Sequence, residues 1–295
     1  MVKRNLAIIC CLAFIVLVFT DINAFVDAGR RGVLLFGRNV LPVLFPFFFI
    51  SGLLVEAGFF SGFKRFGKAV PVFTLSLLSG YPTGARILRD LYATGEITRT
   101  KAIRTATYTS TCSPIFIIAT VGACFYQSVT VGVLIFAAHS LGAVLNGVVY
   151  ARVSFRGTAE ESPVRTSFAR TRDPSPLARN DMSTAISNSL YSAVQNIFAV
   201  GGLIIVFFIT TSMLGGGVFV SGLLEMTNGV FMASTVSASI LLPCAIVSFG
   251  GLCVAMQGFV FMSTFRMPLW FYMLYKCTHA IFAVIFYLIL VMVFC

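Results

Sequence analysis

Three stretches of this chain, residues 105–151, 182–224 and 226–265, carry no Asp, Glu, Lys or Arg. A helix crosses a bilayer in roughly 20 apolar residues, so each stretch can supply about two passages or hairpin arms. An ordinary globular domain is about a quarter charged, whereas this chain is 11% charged and 58% hydrophobic over 295 residues. The expected class is an all-α polytopic membrane protein, with the lipid bilayer as its first partner.

The net charge of +11 does not point to nucleic acid. The basic residues are spread over loops between apolar runs, a pattern that sets membrane orientation and forms no phosphate-tracking stripe. The eight cysteines lie almost wholly inside apolar runs, with no CxxC pair and only two histidines in the chain. Disulfide and zinc frameworks are therefore not expected, and no metal or cofactor is called for. Nor is there a Ser/His/Asp set, an HExxH or a carboxylate pair, so no enzyme is expected.

The motif that most disturbs the apolar pattern is Ser79-Gly-Tyr-Pro-Thr-Gly-Ala-Arg86. Gly80 and Gly84 permit unusual backbone angles, and Pro82 withdraws a donor. Irregular backbone at membrane depth survives only inside protein or against a water-filled cavity. Two half-length arms, about 69–79 and 85–93, fit the flanking sequence better than one crossing. This predicts a re-entrant hairpin at about 69–93.

Around it, Lys3-Arg4 and the run 5–20 predict a retained first transmembrane helix, with a signal sequence as the alternative reading. A second span at 33–55 should be kinked by Pro42 and Pro46. The run 105–151 predicts two crossings that turn near Tyr126-Gln-Ser128, the first interrupted at Thr111-Cys-Ser-Pro114. Residues 152–181, with six arginines and three prolines, predict a cytoplasmic linker. A long helix at 184–213, a break at Glu225–Gly229, a helix interrupted at Ser248-Phe-Gly-Gly251 and a last helix at 269–294 then repeat the plan.

The expected organisation is thus 1–28 as an N-terminal transmembrane helix and 29–151 as a first repeat with its hairpin at 69–93. A linker at 152–181 follows, then a second repeat at 182–265 with a hairpin at about 216–240, and a C-terminal helix at 266–295. With a cytoplasmic N-terminus, nearly all loop Lys and Arg face inside, and only Arg30, Arg31 and Arg38 face out. The two hairpins then enter from opposite faces, which makes an inverted repeat of transmembrane helices with two re-entrant helical hairpins and two broken helices. Such repeats place solute near the midplane.

Five segments carry a family resemblance: Leu41-Pro-Val-Leu-Phe-Pro-Phe-Phe, Ser79-Gly-Tyr-Pro-Thr-Gly-Ala, Ser113–Gly122, Gly222–Gly229 and Phe249–Gln257. Together they resemble the YlbJ-type (stage V sporulation) integral membrane proteins, within the wider group bearing the nucleoside-recognition, or Gate, domain. The resemblance implies a fold like that of concentrative nucleoside transporters and a tendency to form homo-oligomers. It also implies transport of a small molecule, with dipicolinate as the expected cargo in spore formers. The chain departs from the family pattern at Cys112 and Ala255, where more polar residues are expected.

Arg86, just past the first break, is the natural candidate for binding a carboxylate beside the N-terminus of the returning half-helix. Pairing with Glu225 or Asp90, or reaching the cytoplasmic surface, are its alternatives, and Arg89 reads as an interfacial anchor. Gly80, Tyr81, Thr83 and Gly84 complete the first tip as substrate-binding candidates, with Ser113, Thr227, Asn228 and Gln257 facing them. Glu225, the only acidic residue after Asp181, is the candidate for coupling to Na⁺ or H⁺, with Gln195 and Asn196 in support. Lys276 and His279 share a face of the last helix and read as packing or surface residues, with a proton relay as the alternative. The functions left open are transport of a small anionic solute, transport of a nucleoside, and a non-transporting membrane component on the same fold.

Overall fold

A computed structural model describes residues 2–63, 67–153, 182–215, 217–236 and 239–294. Among these residues every regular element is helical. Helix α1 (Val2–Thr20) and helix α2 (Ile22–Leu35) meet at a sharp bend of 109°. Asp21 makes the corner, its carboxylate accepting the Ala24 N–H at 2.9 Å as the α2 cap. The chain passes through a π-wound stretch, Phe36–Val40, directly into α3 (Leu41–Glu56). The span expected at 33–55 thus comprises the end of α2, the π-wound stretch and α3. Its irregular turn lies beside Pro42, with Pro46 inside the helix, where missing N–H donors loosen the backbone ladder.

Two short helices follow, α4 (Ala69–Ser79) and α5 (Thr83–Ala93). Eleven residues rise about 16 Å, roughly half of a 30 Å hydrocarbon layer. The two pack on each other across Gly80-Tyr81-Pro82, where Gly80 holds φ 83°, a left-handed angle that suits glycine. Helix α6 (Arg99–Thr109) ends at the break 110–114, and the chain resumes as a π-wound segment, Ile115–Phe125, before α7 (Val129–Val149).

The second half comprises α8 (Met182–Leu214), α9 (Val218–Leu224), α10 (Met226–Val236), α11 (Leu241–Phe249), α12 (Gly251–Met262) and α13 (Leu269–Phe294). Gly250 and Gly251, at φ 90° and 73°, separate α11 from α12 without ending the span. Four helical stretches are long and apolar enough to cross a membrane, or five with the bent α1–α2 pair, counting only described residues. The linker expected at 152–181 falls almost wholly outside the described residues, as do Lys64 and Arg65 of the expected basic loop.

The packing joins helices of the first half to helices of the second. Helix α3 lies on α8 and α7 lies on α13. Each hairpin also reaches across: α5 packs on α12, and α10 packs on the segment 115–125. Within each half, very small residues let neighbouring helices approach closely. A side chain at Gly84 would strike the Thr109 carbonyl and Ser76, and one at Gly229 would strike the backbone of Gly222. Large exposed hydrophobics run along α1, α8 and α13, as a lipid-facing surface requires.

Candidate functional site

Four interruptions of helical structure meet inside the protein, at 80–82, 110–114, Glu225 and Gly250. Between them lies a cavity of about 370 Å³, within the range of small-molecule sites. Ser79, Gly80 and Tyr81 bound it from the first hairpin, and Glu225, Met226 and Thr227 from the second. Ser113, Phe116 and Thr120 come from the segment after the second break, and Cys253, Val254 and Gln257 from α12. Apolar side chains of α3 and α8, among them Val43, Leu44 and Ile204, close the remaining wall.

Six residues expected at a site from sequence thus line one space: Gly80, Tyr81, Ser113, Glu225, Thr227 and Gln257, with Ser79 beside them. Thr83, Gly84, Asn228, Gln195 and Asn196 do not line it. Thr83 and Gly84 sit inside the hairpin, where Gly84 abuts Thr109. Asn228 contributes its backbone N–H to Glu225. Asn196 instead bonds Ser192 and the Arg89 guanidinium, at 3.1 and 3.2 Å.

Arg86 is the main correction. It is fully buried yet stands apart from the cavity wall, in the seam of α3, α5 and α8. Its guanidinium donates to the Phe48 carbonyl, to Ser51 Oγ at 3.1 Å and to Ser192 Oγ at 3.4 Å. It lies 5.0 Å from the Phe48 ring centroid, and the nearest carboxylate is Asp90 at 4.0 Å. A cation so placed is solvated by protein and fastens the hairpin to its neighbours. It neither faces the cavity nor pairs with Glu225. Arg89, by contrast, sits partly exposed against Asp90 at 2.8 Å.

Glu225 is buried at the join of α9 and α10 and takes two backbone N–H groups, from Thr227 at 3.0 Å and Asn228 at 2.8 Å. Its carboxylate thereby occupies the electropositive N-terminus of α10. It is the one charged side chain among the described residues lining the cavity.

Behind the wall lies a polar knot that sequence reasoning missed. Pro114 has no N–H, so the Ser110 carbonyl, its partner in an unbroken α-helix, is left over. The Lys276 ammonium takes that carbonyl at 3.1 Å and donates to the Tyr81 hydroxyl at 2.8 Å. Tyr81 reaches in turn to the Val247 and Ser248 carbonyls, at 3.3 and 3.4 Å, where α11 ends. His139 of α7 accepts the Cys112 N–H at Nε2 (2.9 Å), so its Nδ1 carries the proton and donates to Ser248 Oγ at 3.0 Å. His279 donates to the His139 carbonyl at 2.9 Å. Lys276 and His279 are each about 1% exposed, which removes the surface reading for both.

An all-α polytopic membrane protein with helix breaks from both halves walling one cavity is the class that fold and site define. Compared with known proteins, the chain is 28% identical over 271 residues to the sporulation integral membrane protein YlbJ of Bacillus subtilis (strain 168). The match takes in 76% of this chain and 66% of YlbJ, so the chain spans just under two thirds of that relative's length. It supports the YlbJ-type resemblance read from the motifs. No family model and no solved structure matches the chain.

Proposed function

We propose that this protein is a membrane transporter for a small, planar, polar solute, bound between the two hairpin tips near the midplane. The observation that carries the reading is the cavity of about 370 Å³ bounded by Tyr81 of one hairpin and Glu225 of the other. A scaffold built on the same fold would close Arg86 on Glu225 and enclose no space. The cross-packing of hairpins and broken helices supports an inverted repeat, and the arginine distribution supports a cytoplasmic N-terminus and linker.

The wall favours a ring lying on hydrocarbon with one hydrogen-bond-accepting end near Ser113 and the Tyr81 backbone, where helical segments begin. A carboxylate meets that need without Arg86. Such an anion approaches Glu225 only with a proton between them, since two bare carboxylates repel. Glu225 is accordingly the proton-coupling residue, with Thr227 and Gln257 as solute contacts. The relative's name adds sporulation as the setting in which an aromatic dicarboxylate such as dipicolinate would move. A nucleoside is the second reading, favoured by one observation: the sole charged group of the described wall is an acceptor for hydroxyl donors.

Uptake into proteoliposomes, of dipicolinate and of uridine in parallel and with and without an inward proton gradient, tests this. Gradient-driven dipicolinate uptake is the expected result. Uridine uptake alone moves the assignment to the nucleoside, and uptake of neither by correctly inserted protein removes the transport reading.

A further inference from the structure

Lys276 is a buried ammonium with no carboxylate beside it among the described residues. Its bonded neighbours are oxygens that a helix break leaves available: the Ser110 carbonyl, orphaned by Pro114, and the Tyr81 hydroxyl. Tyr81 itself rests on the Val247 and Ser248 carbonyls at the end of α11. The ammonium therefore stands at the C-terminal end of α6 and, through the Tyr81 hydroxyl, is linked to that of α11. Each such end carries partial negative charge. Unwound carbonyls and half-helix C-termini are what broken-helix transporters present to a coupling cation. The face of the Tyr81 ring, 4.6 Å from the nitrogen, adds to the attraction.

We infer that this junction is a monovalent-cation site whose resident ion is the protein's own Lys276 ammonium. The tethered charge holds the first hairpin tip to the break of α6 permanently, so the wild-type protein takes up no sodium there. The inference stands on the junction alone and does not require that the cavity carry solute.

Thermal unfolding of the purified full chain in detergent tests it, comparing NaCl with choline chloride at equal ionic strength. Wild type is expected to melt at the same temperature in both salts. Lys276→Ala vacates the position, and sodium should raise its Tm by roughly 2–4 °C over choline. Lys276→Met fills the space with an uncharged chain and should melt low in both salts. Adding Tyr81→Phe to Lys276→Ala removes a ligand oxygen and should at least halve the sodium shift. A sodium-specific shift of similar size in wild type overturns the inference, and this arm needs no variant to fold. Folded Lys276→Ala with no response to lithium, sodium or potassium also overturns it. If Lys276→Ala does not fold, Lys276→Ser replaces it under the same two criteria.

Discussion

The imidazole of His139 holds the backbone N–H of Cys112 at 2.9 Å and the hydroxyl of Ser248 at 3.0 Å, so one side chain joins breaks in two different helices. His139→Ala leaves both groups buried and unpaired, at a cost of about 1–3 kcal/mol each. The variant should show a markedly lower Tm in detergent. His139→Gln, which keeps an acceptor and a donor, should recover part of the loss.

Arg86 gives a prediction opposite to that of a solute ligand. Arg86→Ala removes the guanidinium's bonds to the Phe48 carbonyl and to the hydroxyls of Ser51 and Ser192. Among the described residues it leaves Ser51 only Phe48 and Ser192 only Asn196 as partners, and it should destabilise by roughly 2–4 kcal/mol. Solute affinity of the protein that remains folded, measured by titration, should stay within about twofold of wild type. A loss near a hundredfold with unchanged Tm would return Arg86 to the binding site.

Glu225→Gln should separate the cap this residue makes from the proton coupling proposed for it. The amide oxygen still accepts a backbone N–H, so the capping loss should stay near 0.5–2 kcal/mol. Stimulation of uptake by an imposed proton gradient, followed in proteoliposomes, should fall at least tenfold, because an amide carries no exchangeable charge. Equal gradient stimulation in the variant and in wild type would exclude proton coupling at this position.

Val43 faces the cavity from α3 and is half-buried, so a larger side chain there enters existing space. Val43→Trp should abolish solute binding while lowering Tm by only a few degrees. Gly84→Ala is the converse case. Its methyl has no room against the Thr109 carbonyl, and overpacking of about 1–3 kcal/mol should appear as a lower Tm with the cavity unfilled.

The helix breaks were legible because glycine, proline and isolated polar residues stand out against hydrocarbon. The arms at 69–79, the interruption before Pro114 and the Gly250–Gly251 break fall where the residues put them. Tyr81, Ser113, Glu225 and Gln257, singled out as candidates on the same reasoning, line one cavity. Arg86 was misdirected because its position in the chain fixes depth but not rotation. The clue lay on another helix: Ser189, Ser192 and Asn196 recur at helical spacing along α8 and make a polar stripe for the α5 arginines. Lys276 read from sequence as a packing or surface residue because apolar flanks look alike whether they meet lipid or protein. The orphaned carbonyl four residues before Pro114 was the signal that a buried donor had to come from elsewhere.

The reciprocal seating of each hairpin on the other half bears on how the protein is made. As the ribosome delivers the first half, α5 has no α12 to rest on and the segment 115–125 has no α10. The Ser110 carbonyl waits for an amine 166 residues further along. Helix α7, which rests on α13, and the Ser110 carbonyl therefore reach their final partners only when the last helix has emerged. A chain cut short before α13 should consequently be degraded and not accumulate in the membrane.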